Sequence, residues 1–296
     1  MKNLIVKSED EIEKFTSQIA FSGLDASVAV DLEFRCANSG MAVVSNARNF
    51  RMEKEVPLLI PEINPEHLTV ISEQKEKFGF NEGFIVTNSN CSTMFLAMVL
   101  GVIAKKFTIE KTLVTTMQAV SGAGYPGVAS LDILGNVVPF IGGEEEKIET
   151  ETLKILGKVE DSEIISANFN LSASVNRVPV VDGHLESVSF KLREATNVNE
   201  LKEILTNFTA LPQELKLPTA PKKPVIVLEN EDRPQPKLDV NKNNGMATFV
   251  GRIRKCKVLD YKMMVLGHNT IRGAAGAAIL NAELLVKQGL IQTKGD

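Results

Sequence analysis

A polar segment between two apolar runs constrains this chain more than any other feature. Gly83–Val86 is a short apolar run with β-branched residues, which predicts a buried strand. Met94–Lys106 is a longer apolar run without proline, which predicts a buried helix. Between them lies the segment Thr87–Thr93, which carries Cys91. The pattern therefore predicts a turn from strand to helix with a cysteine at the start of the helix.

Cys91 in this position is a candidate nucleophile. The first turn of a helix has unpaired N–H groups and the positive end of the helix dipole, and both favour a negative charge. We therefore expect the thiol of Cys91 to lose its proton more easily than an ordinary thiol, and the thiolate is the nucleophilic form. The alternative is a cysteine that is merely packed in the core, because free cysteine is often buried. The Asn, Ser and Thr residues on both sides favour the first interpretation.

Composition narrows the classes of function. A chain of 296 residues has room for two domains. The three cysteines lie far apart and form no disulfide framework, so we expect a cytoplasmic protein. A net charge of -4, no Trp and two Tyr disfavour a nucleic-acid surface. No uncharged run reaches the roughly 18 apolar residues of a membrane span.

The order of predicted elements suggests two kinds of domain. Ser8–Glu11 matches a capping box, and apolar residues follow it at helical spacing as far as Ile19, which predicts a helix. Further predicted helices are Ala26–Ala37, Glu144–Gly157, Asn197–Phe208 and Thr270–Gln288, and predicted strands are Met41–Ser45, Leu113–Val120, Ile164–Val180, His184–Leu192, Ala247–Lys257 and Leu259–Leu266. Leu211–Lys223 is predicted to be an exposed loop. An α/β domain followed by an α+β domain fits this order, with the boundary at Cys91.

The histidines supply a partner for the thiol. His184 follows a predicted turn between two strands, and His268 precedes the last helix. His67 is expected at the start of a surface helix, and we assign it no role. A cysteine and a histidine form the minimal pair for acyl transfer through sulfur, with the histidine as acid and base. By itself this signal is weak, because three Cys and three His allow several such pairs.

Gly122–Gly127 matches the dinucleotide-binding pattern G-x-G-x-x-G. We do not interpret it as a pyrophosphate loop, because Pro126 lies inside it and no amphipathic helix follows. A loop beside the functional site is the favoured interpretation.

Glu144 and Lys147 lie one turn apart at the start of a predicted helix. Such a pair is often a solvated ion pair. The functional interpretation is a carboxylate for a substrate ammonium and an ammonium for a substrate anion.

Several motifs occur together in a characteristic order along the chain. They are Asn90–Thr93, Gln118, Ser121–Gly124, Gly143–Lys147, Asn176–Pro179 with His184, His268–Thr270 and Gly273–Gly276. With these motifs the chain resembles the aspartate-β-semialdehyde dehydrogenase family, most of all its archaeal and fungal branch. The resemblance runs from about Gln18 to the last helix.

The resemblance implies an NADP-dependent enzyme that reductively dephosphorylates 4-phospho-L-aspartate to L-aspartate 4-semialdehyde. This step belongs to the biosynthesis of lysine, threonine, methionine and isoleucine. Cys91 would form the thioester, His184 would act as acid and base, and Gln118 would orient the acyl group. The implied substrate-binding residues are Arg177 for the α-carboxylate, Glu144 for the α-ammonium, and Lys147, Arg51 and Asn90 for the phosphate. The implied NADPH-binding residues are Ser121, Gly122 and Asn269 beside the nicotinamide and Ser22 and Asn46 near the ribose and phosphates. No metal is implied.

The resemblance also implies a domain division and an assembly. A Rossmann-like NAD(P)-binding domain would span residues 1–90 and be joined by the C-terminal helix 269–296, and a catalytic and dimerisation domain with a mostly antiparallel sheet would span residues 91–268. Met1–Thr16 does not contain the family's Gly-rich dinucleotide-binding turn, so we expect a truncated first domain. A homodimer or homotetramer is expected. The alternatives are a malonyl- or succinyl-CoA reductase on the same fold and a catalytically impaired paralogue with a structural role.

Overall fold

A computed structural model describes residues 5–291 of the chain. Its strands are β1 (Ile19–Ser22), β2 (Ala42–Ser45), β3 (Phe84–Thr87), β4 (Ile109–Gln118), β5 (Lys158–Glu160), β6 (Glu163–Ile165), β7 (Asn170–Arg177), β8 (His184–Leu192), β9 (Val225–Leu228), β10 (Thr248–Lys255) and β11 (Tyr261–Gly267). Its α-helices are α1 (Ala26–Asn38), α2 (Ile71–Phe78), α3 (Cys91–Ala104), α4 (Ser130–Ile133), α5 (Glu144–Ile155), α6 (Val198–Thr206), α7 (Leu211–Glu214), α8 (Pro236–Asp239) and α9 (Gly276–Lys287). Short 3₁₀ segments lie at Glu9–Lys14, Pro65–Val70, Val120–Ala123 and Lys242–Gly245, and a π-helix at Ile271–Ala275 leads into α9.

Strands β1, β2 and β3 form a parallel sheet in that order. Each residue of β2 and β3 is buried, as expected of parallel strands covered on both faces. Polar residues close the three strands, with Ser22, Ser45 and Thr87 in register at their carboxyl ends. Ligands of open parallel sheets bind at this edge, and the fold therefore fits the predicted Rossmann-like domain.

A second, six-stranded sheet has the order β7–β4–β8–β11–β10–β9. The central pairs β4–β8, β8–β11 and β11–β10 are antiparallel, and the outer pairs β7–β4 and β10–β9 are parallel. Burial alternates along β4 and β8, so one face of the sheet is covered. The prediction of a mostly antiparallel sheet in an α+β arrangement is therefore confirmed.

Helix α3 joins the two parts of the molecule. It follows β3 and packs against the covered face of the six-stranded sheet, and nearly all of its residues are buried. The run from Met94 to Ile103 is apolar on every side, which is typical of a helix inside a core. The helix therefore places its first residue, Cys91, between the carboxyl edge of the parallel sheet and the six-stranded sheet.

The last helix returns to the parallel sheet. Buried residues of α9, including Leu280 and Leu284, pack in one cluster with Val44 and Val86 of β2 and β3. None of the helices within residues 5–291 is long and apolar enough to cross a membrane.

Some predicted bounds were wrong. The segment after Ser8 is a 3₁₀ turn that ends at Lys14, and Ile19 lies in β1 instead of continuing a helix. The predicted loop Leu211–Lys223 contains the short helix α7, and Leu217 within it is buried. His67 is fully buried rather than at the surface, because its ring contacts the side chain of Asn64 and the carbonyl of Gly157.

Candidate active site

Cys91 and His184 meet where the first residue of α3 contacts the start of β8. The Sγ atom of Cys91 lies 3.2 Å from Nε2 of His184. His184 is fully buried, and the Cys91 residue is partly exposed. The fold therefore brings the predicted nucleophile and the predicted acid/base group within hydrogen-bonding distance of each other.

The second ring nitrogen of His184 faces the backbone. The N–H of Ala119 donates to Nδ1 at 3.1 Å, so a neutral ring in this geometry carries its proton on Nε2, beside the sulfur. Burial lowers the pKa of His184 to about 3, and the charges of Arg177 and His268 act in the same direction. The carbonyl of Gly183 partly opposes this shift. His184 is therefore neutral at physiological pH.

The expectation of an acidified Cys91 thiol was wrong. Burial, and to a lesser extent the carboxylate of Glu144, raise the pKa of Cys91 to about 12. The charges of Arg51 and Arg177 and the N–H of Ser92 at the helix start lower the pKa without offsetting the desolvation. The helix dipole effect on which the prediction rested is thus present but smaller than the effect of burial.

Two glycines allow the pair to approach. A Cβ atom added to Gly273, in the π-helix, would lie 2.8 Å from Cβ of Cys91. One added to Gly122 would lie 2.9 Å from Cε1 of His184 and 2.9 Å from Nη1 of Arg177. The predicted loop beside the site is therefore confirmed for Gly122, whereas the role of Gly273 was not predicted.

The pairing of β7 and β8 with the two sides of β4 brings Arg177 close to His184. Arg177 ends β7 in register with Gln118 of β4, and β8, which begins at His184, pairs with the other side of β4. Its Nη1 donates to the carbonyl of Ala119 at 2.8 Å. Among residues 5–291 no carboxylate lies within ion-pair distance of this guanidinium, and burial lowers its pKa. A buried cation without an acidic partner is suited to bind an anionic ligand group.

Glu144 contacts three other predicted site residues. Its Oε2 accepts hydrogen bonds from Nδ2 of Asn90 at 2.8 Å and from Nε2 of Gln118 at 3.4 Å. Its Oε1 pairs with Nζ of Lys147 at 2.8 Å. Burial opposes ionisation, but Lys147 and the two amides hold the pKa of Glu144 below its usual value. The buried carboxylate is therefore ionised at neutral pH.

Asn90 is the N-cap of α3. Its Oδ1 accepts from the N–H groups of Ser92 and Thr93 at 2.9 and 3.2 Å. Its Nδ2 donates to Glu144, so both the oxygen and the nitrogen of the Asn90 side-chain amide have hydrogen-bond partners.

Arg51 is held by Glu151, a residue that the sequence analysis missed. Nη1 of Arg51 donates to Oε1 of Glu151 at 2.9 Å, and Nη2 donates to the carbonyl of Asn46 at 2.6 Å. Oε2 of Glu151 accepts from the backbone N–H of Asn90 at 2.6 Å. The spacing of Glu151 from Glu144, two turns along one helix, is the signal that would have pointed to it.

The predicted cofactor residues of the first sheet cluster at its carboxyl edge. The hydroxyl groups of Ser22 and Ser45 both donate to Oε1 of Glu33 at 2.5 Å. The N–H of Asn46 donates to the carbonyl of Ser22 at 2.9 Å, and the Asn46 side chain accepts from Asn88. Glu33, which lies on α1 and contacts both strand ends, was not predicted.

Asn269 connects Ser121, another predicted cofactor residue, to the residue before His184. Its Nδ2 donates to the hydroxyl of Ser121 at 2.8 Å. Its Oδ1 accepts at 2.8 Å from the N–H of Gly183, the residue before His184. These contacts place Ser121 and Asn269 beside the turn that leads into His184. Within residues 5–291 no group of three or more His, Cys, Asp or Glu side chains is arranged to hold a metal ion.

Comparison with known proteins matches both parts of the chain. Residues 1–71 match the model described as semialdehyde dehydrogenase, NAD binding domain. Residues 100–272 match the model described as semialdehyde dehydrogenase, dimerisation domain.

Curated relatives and a solved structure agree with these matches. The aspartate-semialdehyde dehydrogenase of Methanothermobacter thermautotrophicus is 51% identical over 269 residues, which cover 90% of this chain and 77% of the relative. That of Schizosaccharomyces pombe is 47% identical and covers 98% of this chain and 83% of the relative. A crystal structure described as aspartate semialdehyde dehydrogenase with NADP from Candida albicans superposes with a TM-score of 0.85 at 45% identity, over 93% of this chain and 79% of that one. The acyl-CoA reductase alternative is not favoured by these relatives. The chain belongs to the aspartate-semialdehyde dehydrogenase family.

Proposed function

We propose that the protein catalyses the NADP-dependent interconversion of 4-phospho-L-aspartate and L-aspartate 4-semialdehyde with release or uptake of phosphate. The single observation that carries this proposal is the Cys91–His184 pair, with Sγ and Nε2 3.2 Å apart, beside the buried Arg177, which has no acidic partner within residues 5–291. Membership of the family and the names of the relatives support the same reaction.

In the proposed mechanism the sulfur of Cys91 attacks the acyl carbon of the acyl phosphate. The carbon–sulfur bond forms, and the bond to the phosphate oxygen then breaks, so that phosphate leaves and a thioester remains. His184 takes the thiol proton as the carbon–sulfur bond forms and returns a proton when the sulfur leaves. The backbone N–H of Cys91 is proposed to stabilise the oxyanion, because the N–H groups of Asn90, Ser92 and Thr93 already donate to side-chain oxygens. To accept the thiol proton at Nε2, the neutral ring of His184 must first carry its own proton on Nδ1, which breaks the hydrogen bond from the N–H of Ala119.

The polar residues around the pair suit the remaining groups of the substrate. Arg177 is proposed to bind the α-carboxylate in a bidentate manner. Glu144 is proposed to bind the α-ammonium, and Gln118 to orient the acyl group. Arg51, Lys147 and Asn90 are proposed to form the phosphate site. The pairing of Lys147 with Glu144 and of Asn90 with both Glu144 and the helix start implies that the substrate competes with these contacts.

Residues at the edge of the parallel sheet fit a dinucleotide. Ser22 ends β1 and Asn46 follows β2, both at the carboxyl edge of the parallel sheet. A Cβ atom added to Gly23 would meet nothing within 4 Å, so the backbone there is open to a ligand. Ser121, Gly122 and Asn269 are proposed to lie beside the nicotinamide, next to His184. NADPH, when bound, supplies the hydride that reduces the thioester.

The domain division and the assembly belong to the same proposal. Residues 1–90 with the C-terminal segment 269–296 would bind NADP, and residues 91–268 would provide the catalytic thiol and the dimer contact. The alternation along β4 leaves Lys111, Leu113 and Thr115 exposed on the face of the sheet opposite α3, which supports a homodimer or homotetramer. The unpaired cysteines within residues 5–291 support a cytoplasmic location.

The test is an assay in the oxidative direction. Purified protein is given L-aspartate 4-semialdehyde and NADP⁺, and NADPH formation is followed with and without inorganic phosphate. We expect NADPH formation that depends on phosphate. In a parallel assay CoA replaces phosphate, and malonate or succinate semialdehyde replaces the amino-acid substrate. NADPH formation that requires CoA instead of phosphate would overturn the proposal in favour of an acyl-CoA reductase, and an inert protein that binds no NADP⁺ would favour a structural role.

A further inference from the structure

Glu151 is a buried carboxylate that the proposed mechanism does not use. It lies on α5, two helical turns after Glu144, and only 2% of it is exposed. Burial opposes its ionisation, so its place in the core requires partners that stabilise a negative charge.

Each carboxylate oxygen of Glu151 accepts one N–H group. Oε1 accepts from Nη1 of Arg51 at 2.9 Å, and Oε2 accepts from the backbone N–H of Asn90 at 2.6 Å. Both partners are donors, so the position requires two acceptors. Glutamine would turn an amide N–H₂ towards one of the two donors and leave that donor unpaired.

The two partners of Glu151 belong to different parts of the site. Arg51 is the proposed phosphate ligand, and its guanidinium also donates to the carbonyl of Asn46. Asn90 begins the helix that carries Cys91 and binds Glu144 through its side chain. The two glutamates of α5 therefore hold Asn90 from two sides, Glu151 through its backbone N–H and Glu144 through its side-chain amide.

We infer that Glu151 is a positioning residue that fixes Arg51 relative to the first residue of α3, so that the phosphate-binding guanidinium and the Cys91 sulfur keep one geometry. The part of this inference that concerns phosphate rests on the proposed function. The part that concerns the start of α3 does not.

The inference is tested with Glu151→Gln and Glu151→Asp in the full chain. Glu151→Asp keeps the charge but is one methylene too short to reach both donors. Glu146→Gln is the matched control, because it removes a carboxylate from the exposed face of the same helix. We expect Glu151→Gln to raise the KM for inorganic phosphate about tenfold, with a smaller loss of kcat.

Two readouts do not depend on turnover. One is the protection of Cys91 by inorganic phosphate against iodoacetamide, which Glu151→Gln is expected to weaken. The other is amide hydrogen exchange at residues 90–93, which is expected to accelerate selectively in both Glu151 variants and not in Glu146→Gln. An Arg51→Gln variant completes a double-mutant cycle, in which the double variant is expected to lose little more phosphate affinity than Arg51→Gln alone.

The outcomes separate the inference from the proposed function. If the wild-type protein shows no phosphate-dependent turnover, the proposed function fails, and amide exchange still decides whether Glu151 holds the start of α3. If Glu151→Gln does not fold, Glu151→Asp provides the same comparisons. Unchanged exchange at residues 90–93 together with unchanged phosphate protection in a folded Glu151 variant would overturn the inference.

Discussion

Gly273 and Cys91 lie so close that a side chain on the glycine would clash with the cysteine. The distance from a Cβ built on Gly273 to Cβ of Cys91 is 2.8 Å, and to Cα of Cys91 it is 3.2 Å. The π-helix before α9 thus forms one wall of the site and determines where the sulfur stands.

Gly273→Ala is expected to displace Cys91 from His184. The added methyl group meets backbone and Cβ atoms that cannot move without shifting α3, so we expect kcat to fall at least tenfold and unfolding free energy to fall by about 1–3 kcal/mol. Kinetics and urea denaturation measure the two effects. Gly142→Ala is the control, because a Cβ there meets nothing within 4 Å. Equal activity of both variants would show that the close approach is unimportant.

Cys91→Ala is expected to abolish turnover without unfolding the protein, because the reaction passes through a bond to sulfur. Circular dichroism and thermal denaturation check the fold, and phosphate-dependent NADPH formation checks activity. Turnover that persists in this variant would remove Cys91 from the mechanism.

Arg177→Lys is expected to raise the KM for the semialdehyde or lower kcat by about tenfold or more. A lysine ammonium cannot donate to the carbonyl of Ala119 and also grip a carboxylate with two parallel N–H groups. Arg193→Lys, on the exposed end of the sheet, is the matched control. Near-normal kinetics of Arg177→Lys would assign this arginine a structural role.

The alkylation of Cys91 is expected to depend on pH in an unusual way. A pKa raised to about 12 means that the thiol form predominates at neutral pH and that the thiolate fraction grows with each step towards alkaline pH. The rate of iodoacetamide labelling, read by peptide mass spectrometry, should therefore still be rising at pH 10. Cys256 is an internal comparison, because nearby N–H groups lower its pKa and its labelling should level off earlier. A plateau for Cys91 below pH 8 would contradict the prediction.

Glu186 is expected to make stability fall as pH rises. It lies two residues after His184 on the covered face of β8, and neither of its buried oxygens has a hydrogen-bond partner within residues 5–291. Burial raises the pKa of Glu186 well above its usual value. The native state keeps a proton that the unfolded chain releases above about pH 4.5, so native stability declines by about 1.4 kcal/mol for each pH unit between the two pKa values.

Glu186→Gln should remove this dependence. The variant is expected to be more stable than the wild type at pH 7.5 and equally stable near pH 4, as measured by urea denaturation at both values. Glu146→Gln serves as the control for a lost surface charge. A wild-type advantage at pH 7.5 would show that Glu186 is ionised and stabilised in the native state.

The local elements around the site can be read from the amino-acid sequence alone. The change from an apolar strand to a polar segment and an apolar helix located Cys91 at the start of α3, because buried runs and caps leave a pattern that is read within a few residues. The alternation of later segments predicted the second sheet, and β8 begins and ends at the predicted residues. The motifs taken together gave the family, which the relatives confirm.

Tertiary structure alone decided what surrounds the sulfur. His184 reaches Cys91 from a strand 93 residues away, and Glu151, Gly273 and Glu33 acquire their places only when distant elements pack together. The protonation of Cys91 was mispredicted for the same reason. A helix start is visible in the sequence, but desolvation is a property of the whole packed core, and here it outweighs the local dipole.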